Sequence, residues 1–254
     1  MENSILNLGR IKHFLTNNSV TRQDTTTQEE YIEHTPVKYR WSHGCTDEYL
    51  GDGILIYSLI MFYKAKTCVC LGSGGGFIPR IMTQARLDLF NTGIFEGDSS
   101  MEWGDIGTTI LVDAMNGVNG HTDYKQKDSF FRHYFTPFLI KDSTENAYYN
   151  YFIKEDIKVD YLHIDADHSY EGVKKDFELY SKIMSPFGII SIHDTDEKYL
   201  KEHILHEGGH PSSGASKLVK ELEEGRKWEI FNFFNYGIMR DKPASTGLTI
   251  LRRK

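Results

Sequence analysis

Two stretches of the chain end in residues that do chemistry. Val159-Asp160-Tyr161-Leu162-His163-Ile164 runs into Asp165-Ala166-Asp167-His168-Ser169-Tyr170, and Phe187-Gly188-Ile189-Ile190-Ser191-Ile192 runs into His193-Asp194-Thr195. An apolar run that stops abruptly in carboxylates and imidazoles reads as a buried strand with its site at the carboxyl end, where open α/β sheets bind ligands. If the two strands are parallel neighbours, Asp165 and Asp194 supply hard oxygen ligands to a divalent cation. His193 adds a nitrogen, and positions remain for water or a substrate oxygen. His168, three residues beyond Asp165, stands beside such a cation without ligating it, which suits a general base.

Magnitudes favour that partnership. A hydroxyl as reluctant as water, with a pKa of about 15.7, lies roughly 9 units above a histidine at about 6.5, a proton-transfer deficit on the order of 12 kcal/mol. Histidine alone would struggle, whereas a cation bound to the oxygen lowers its pKa by several units. Two neighbours have plainer readings. His163 alternates with Asp165 on one face of the strand and reads as a packed or supporting imidazole, and Asp167 reads as the cap of the helix that follows.

The rest of the chain must position this cluster. Its 254 residues and net charge of -7 fit one acidic α/β domain with a full core. Scattered Lys and Arg residues argue against nucleic-acid binding. The apolar run Ile54 to Tyr63 contains Ser58 and is too short to span a bilayer, and the N-terminus lacks a basic-then-apolar signal. A cytoplasmic protein with no membrane span is expected. Cys68 and Cys70 have the wrong spacing for a redox or zinc pair and, with Cys45, read as buried free thiols.

In chain order, a weak amphipathic pattern over Met1 to Leu15 and a polar stretch from Asn17 to Pro36 precede a loop holding Trp41, His43 and Cys45. A long apolar helix is predicted over Asp47 to Lys64. Thr67 to Leu71 then reads as a strand entering Gly72-Ser73-Gly74-Gly75-Gly76 and a helix over Ile78 to Arg86, a turn that lets backbone approach a nucleotide. Phe77 stands where a dinucleotide fingerprint wants its third glycine, which disfavours NAD, and no Gly-Lys-Ser or Gly-Lys-Thr follows, which excludes a P-loop.

Thr108 to Val112 reads as the second strand, and Asp113 at its end is placed to accept hydrogen bonds from ribose hydroxyls. Glu96 and Asp98 compete for that part. Pro137 to Ser143 is the third strand, with a helix over Thr144 to Asp156. Another helix is predicted over Glu171 to Met184, closed by Ser185-Pro186-Phe187-Gly188. A loop from Glu207 to Gly214 is a candidate lid before a helix over Ala215 to Glu224. Trp228 to Phe234 and Gly247 to Leu251 read as a terminal antiparallel hairpin. Strands alternating with helices indicate an α/β fold with a doubly wound, mostly parallel sheet.

These residues together resemble the class I S-adenosylmethionine-dependent methyltransferases, in a metal-dependent O-methyltransferase branch that includes macrolide-sugar O-methyltransferases and, more distantly, catechol O-methyltransferases. The most specific stretch is Ile164 to Val173 with Asp176, followed by Gly188 to Asp194. The resemblance implies a seven-stranded Rossmann-like methyltransferase fold over residues 67–254, with residues 1–66 as an N-terminal arm and helical cover. It also implies S-adenosyl-L-methionine as cofactor with a divalent cation, Mg2+ or Mn2+. Gly72, Ser73 and Gly74 then pass under the cofactor's amino-acid portion, Asp113 holds the ribose, and Asp142 with Ser143 lies near the adenine. Asp165 and Asp194 carry over as metal ligands and His168 as the base.

The sequence departs from the pattern at Cys70, where an acid often ends the first strand, and at His193, where relatives carry oxygen ligands. The implied reaction moves a methyl group to an oxygen of a small-molecule or glycan acceptor, a sugar hydroxyl being expected and a bacterial surface polysaccharide precursor the biological setting. The chain is open to homo-oligomer formation. Two rivals stand beside this reading. One is a non-haem iron oxygenase using His163, Asp165 and a distant His193 or His210, which commonly lives on a double-stranded β-helix. The other is a non-catalytic module that binds an adenosine ligand or nucleotide sugar.

Overall fold

The structure is a computed structural model that describes residues 20–23, 30–33, 43, 51–72, 77–91, 107–114, 138–200, 214–234 and 246–254. Two short strands, β1 (Val20–Gln23) and β2 (Glu30–Glu33), pair antiparallel with each other. The main body follows as α1 (Asp52–Tyr63), β3 (Thr67–Leu71), α2 (Phe77–Asn91), β4 (Thr108–Val112) and β5 (Phe138–Ile140). Then come α3 (Thr144–Ala147) with a π-helical continuation over Tyr148–Ile153, β6 (Val159–Ile164), α4 (Tyr170–Tyr180), β7 (Met184–His193) and the single turn α5 (Glu197–Tyr199). The body ends with α6 (Gly214–Gly225), β8 (Trp228–Phe233) and β9 (Leu248–Arg253).

β3 to β9 form one seven-stranded sheet in the order β5-β4-β3-β6-β7-β9-β8. The five strands from β5 to β7 are parallel, and β9 runs antiparallel to both β7 and β8. The sequence-based expectation of a doubly wound sheet with a terminal antiparallel hairpin holds. The chain leaves β3 toward β4 and β5, then returns to place β6 on the other side of β3. The carboxyl ends of β3 and β6 therefore meet where the strand order reverses, the place such sheets open a crevice.

Alternation along the strands builds the two faces of the core. Cys68, Cys70 and Tyr161 pack with Ile56, Tyr57 and Ile60 of α1 and with Ile78, Ile81 and Met82 of α2. Val69, Leu71, Leu162 and Ile164 face Val173 and Phe177 of α4 and Leu218 and Val219 of α6. Period-two patterning buries both faces of the central strands, as a parallel sheet between helical layers requires. Cys68 and Cys70 are the buried free thiols expected, and burial pushes the Cys68 thiol up to about 12, an unreactive state.

Three local expectations are corrected. β7 begins at Met184, not at Phe187. Val159 pairs with Met184 while Tyr161 pairs with Ile189, so Ser185 to Gly188 bulge out between the two pairs. Pro186 is tolerated there because no ladder hydrogen bond needs its missing N–H. The cap of α4 is Ser169, whose side chain accepts from the Gly172 amide at 3.0 Å, while Asp167 accepts from the Ser169 amide. The helix after β5 keeps α geometry only to Ala147 and then widens to π geometry.

The Met1 to Leu15 pattern, Trp41, Cys45, Ser73, Gly74, Glu96, Asp98, His210 and most of the 207–214 loop lie outside the described residues. Among the described residues no helix is long and apolar enough to cross a membrane.

Candidate active site

β6 and β7 are parallel neighbours in register, with Ile164 opposite Ile192, so Asp165 and the His193-Asp194 pair emerge side by side. His168 turns back from the α4 entrance to join them. Its Nε2 lies 3.2 Å from Asp165 Oδ1 and 3.2 Å from Asp194 Oδ2. Asp194 reaches this position with a φ of 58°, a left-handed backbone that non-glycine residues adopt at a cost. The strand-end carboxylates and the base anticipated from sequence therefore meet at one point.

Asp165, His168 and Asp194 each offer a ligand atom, all within 4.8 Å of one another. In an octahedral site with ligands at about 2.1 to 2.2 Å, adjacent donors stand roughly 3.0 Å apart. The 3.2 Å separations are those from His168 to each carboxylate; Asp165 and Asp194 are hard oxygen donors suited to a divalent ion, with His168 beside them. The residues present fit a divalent cation.

His193 sits at the side of this group. Its Nδ1 lies 3.3 Å from Asp165 Oδ1 and 3.3 Å from Asp194 Oδ1. The Thr246 hydroxyl donates to Asp194 and so accepts from His193 Nε2 at 3.2 Å. Both ring nitrogens face acceptors, the arrangement of an imidazolium. Burial opposes the charge, but Asp194, Asp165 and Asp52 prevail and push the His193 pKa up to about 10. Asp165 answers in kind. Burial raises its pKa, yet His193 and hydrogen bonds from His168, His193 and His43 hold it well below the carboxylate range. Burial likewise opposes the charged form of His168, and the Asp165 hydrogen bond outweighs it and lifts its pKa.

Three contributors were not singled out for the site by sequence reasoning. Asp52, fully buried at the start of α1, lies 3.8 Å from His193 Nε2. Thr246 comes from the turn before β9. His43 stacks on His193 with ring centroids 4.0 Å apart and places Nε2 3.4 Å from Asp165 Oδ2. A lone histidine in an aromatic loop and an acid at a helix start carry no local pattern that marks them. His163 is wholly buried, with Nδ1 2.9 Å from Ser191 Oγ. Burial, then His43, holds its pKa well below the usual histidine value.

Of the residues assigned to a cofactor, Gly72, Asp113, Asp142 and Ser143 lie at the adjoining strand ends. Gly72 follows β3 with a φ of 77°, and its amide donates to the Val112 carbonyl. Asp113 follows β4 and is buried, its amide donating to the Ile140 carbonyl. Asp142 and Ser143 follow β5. There Asp142 accepts from the Ser143 amide and the Asn146 side chain, and Ser143 caps α3. Successive strand ends thus present a glycine and then a carboxylate, an order an adenosine's ribose can use. The Cys70 thiol donates to the Gly72 carbonyl at 3.0 Å, and burial with nearby Asp165 and Asp113 keeps it far above the ordinary thiol range. It is no anchor for an ammonium group.

Residues 71–195, which run from the end of β3 through β7, match the family described as "Methyltransferase domain". Over that span the sequence is similar to a methyltransferase domain. Among solved structures it is similar to an O-methyltransferase from Bacillus cereus in complex with SAH, at 12% identity and a TM-score of 0.56, covering 84% of each chain. It is also similar to the O-methyltransferase TomG from Streptomyces achromogenes, involved in tomaymycin synthesis and in complex with SAM. That match has 12% identity and a TM-score of 0.55, covering 80% of this chain and 79% of TomG. At these identities the likeness is one of fold. No curated protein matches the sequence. The seven-stranded sheet also removes the oxygenase rival's β-helix.

Proposed function

We propose that the protein is an S-adenosylmethionine-dependent, divalent-metal-assisted O-methyltransferase acting on a hydroxyl of a sugar or glycan precursor. The observation that carries the reading is the meeting of Asp165, His168 and Asp194 at the ends of β6 and β7, beside Gly72 at the end of β3. When bound, S-adenosylmethionine supplies an electrophilic methyl carbon, and Mg2+ or Mn2+ supplies the Lewis acidity that makes an alcohol ionisable at neutral pH.

The chain's own residues do the rest. Asp165 and Asp194 hold the ion. His168 is the most exposed member of the cluster, with a side chain 26% accessible against 12% for Asp165 and 11% for Asp194, which suits the member that meets the acceptor. Once the two carboxylates are satisfied, His168 loses the pull that raises its proton affinity, becomes a neutral imidazole and takes the acceptor's proton. Gly72, Ser73, Gly74, Asp113, Asp142 and Ser143 hold the cofactor. Fixing both reactants in a crevice between strand ends supplies the in-line geometry that contributes most to such a displacement. Residues 1–66 cover the acceptor side, and the expected location is the cytoplasm.

Mass spectrometry tests this directly. Protein offered S-adenosylmethionine, Mg2+ or Mn2+ and a panel of nucleotide-activated and glycan acceptors should add one methyl group to an acceptor oxygen, and should lose that activity in chelator. Methylation of nitrogen or carbon, or transfer that ignores chelation, would overturn the reading.

A further inference from the structure

On the α1 side of Asp165, away from His168, a second donor group is assembled. His43, His163 and Asp165 each offer a ligand atom, all within 4.8 Å of one another. Asp165 divides its two oxygens between the groups. Oδ1 faces His168 at 3.2 Å and Oδ2 faces His43 Nε2 at 3.4 Å.

The tautomer of His163 follows from its neighbours. The Ser191 hydroxyl donates to the Leu162 carbonyl at 3.3 Å, so its oxygen is left to accept from His163 Nδ1–H at 2.9 Å. With the Ser191 hydroxyl donating to Leu162, the assigned tautomer carries its proton on Nδ1 and leaves Nε2 a bare lone pair. That Nε2 is wholly buried and has no hydrogen-bond partner. An unsatisfied buried polar atom costs about 1–3 kcal/mol and calls for a reason. A metal-bound histidine has this same arrangement, with the far N–H donated to a supporting oxygen and the near nitrogen free to ligate.

His43 is held for the same purpose. It adopts a φ of 56°, a costly backbone for a histidine, and its carbonyl accepts from the Asp52 amide at 2.9 Å. That bond ties the strained residue to the start of α1.

We propose that His43, His163 and Asp165 form a second cation site, in which Asp165 bridges to the Asp165–His168–Asp194 group and which prefers a divalent transition ion to Mg2+. Two imidazoles and one carboxylate suit Zn2+, Fe2+ or Co2+, whereas the more oxygen-rich neighbouring group suits Mg2+ or Mn2+. The inference touches the proposed function only through the shared Asp165.

Co2+ titration of metal-free protein, read by metal analysis after dialysis and by visible absorption, tests it. The wild type should bind two Co2+ per chain, of which saturating Mg2+ displaces one. His43→Gln and His163→Gln should each retain only the displaceable ion, and Asp194→Asn only the resistant one. One Co2+ per chain, fully displaced by Mg2+, would overturn the second site and leave the proposed function standing. So would a resistant ion that persists in both histidine variants. A resistant ion lost in those variants, with no displaceable partner in the wild type, would keep the second site and remove metal assistance from the proposed function. Circular dichroism checks that each variant folds, and the Mg2+ competition on wild type needs no variant.

Discussion

Gly72 and Asp165 meet backbone against backbone: a Cβ built on Gly72 would stand 2.1 Å from the Asp165 carbonyl oxygen. The Asp165 amide donates to the Leu71 carbonyl at 2.9 Å, so the ends of β3 and β6 are locked together at Gly72 and Asp165. One position therefore links the end of β3 to the acidic cluster. Gly72→Ala adds a left-handed penalty of about 1 kcal/mol to a clash that only backbone movement relieves. The variant should lose about 3 kcal/mol or more of stability in guanidinium titration, and any folded remainder should bind divalent ions more weakly. A variant as stable as wild type would disprove the lock.

The division of labour in the cluster gives a kinetic prediction. His168→Ala should bind S-adenosylhomocysteine with unchanged affinity in calorimetry while methyl transfer falls roughly 100- to 10,000-fold, the usual worth of a general base. Asp194→Asn should instead raise the Mg2+ or Mn2+ concentration needed for half-maximal rate, and added metal should restore part of the activity. If excess metal rescued His168→Ala as well, His168 would belong with the ligands rather than act as the base.

Ser169 supports His168 from the other direction. Its side chain caps α4 on the Gly172 amide, and it directly follows His168 in the chain. Ser169→Ala should cost about 1 kcal/mol of stability by thermal or denaturant unfolding and lower the turnover rate by loosening His168, whereas Ser169→Asp keeps an acceptor at the cap and should preserve both. Equal losses in the two variants would show that the hydroxyl does something other than cap.

What was legible in the sequence was whatever a local pattern could hold. β6 and the second half of β7 announce themselves because both of their faces are buried, giving predominantly apolar runs, and their ends change abruptly to Asp165 and His193-Asp194. Their adjacency entered the sequence reading only as a condition, and the parallel register of β6 and β7 supplies it. His43, Asp52 and Thr246 were not legible as site residues, because each reaches the cluster from a distant part of the chain and none sits in a repeating pattern. The start of β7 was obscured by Pro186, which reads as a strand breaker until the bulge opposite Val159 and Tyr161 is seen. The cap of α4 was misplaced because Asp167 and Ser169 are both good capping residues, and only the backbone hydrogen bonds decide between them.

Asp176 supplies a stability prediction with a defined sign. It is buried on α4, where one carboxylate oxygen accepts from the Thr144 hydroxyl and the other has no partner. Burial raises its pKa, the Thr144 hydrogen bond works against the rise, the Asp167 carboxylate adds to it, and the result is a pKa pushed up to about 6. An unfolded aspartate titrates near 3.9. Between about pH 4 and pH 6 the folded protein keeps a proton that the unfolded chain has released, so stability falls as pH rises through that window. Above it the full cost persists, on the order of 2–3 kcal/mol from the size of the shift. Asp176→Asn keeps an oxygen for Thr144 and removes the buried charge. The variant should be more stable than wild type at pH 7.5 by up to about 2 kcal/mol, with the two curves converging at pH 4. Guanidinium unfolding of both proteins from pH 4 to pH 8 checks this, and an offset that stays constant across the range would show that Asp176 is not the titrating group.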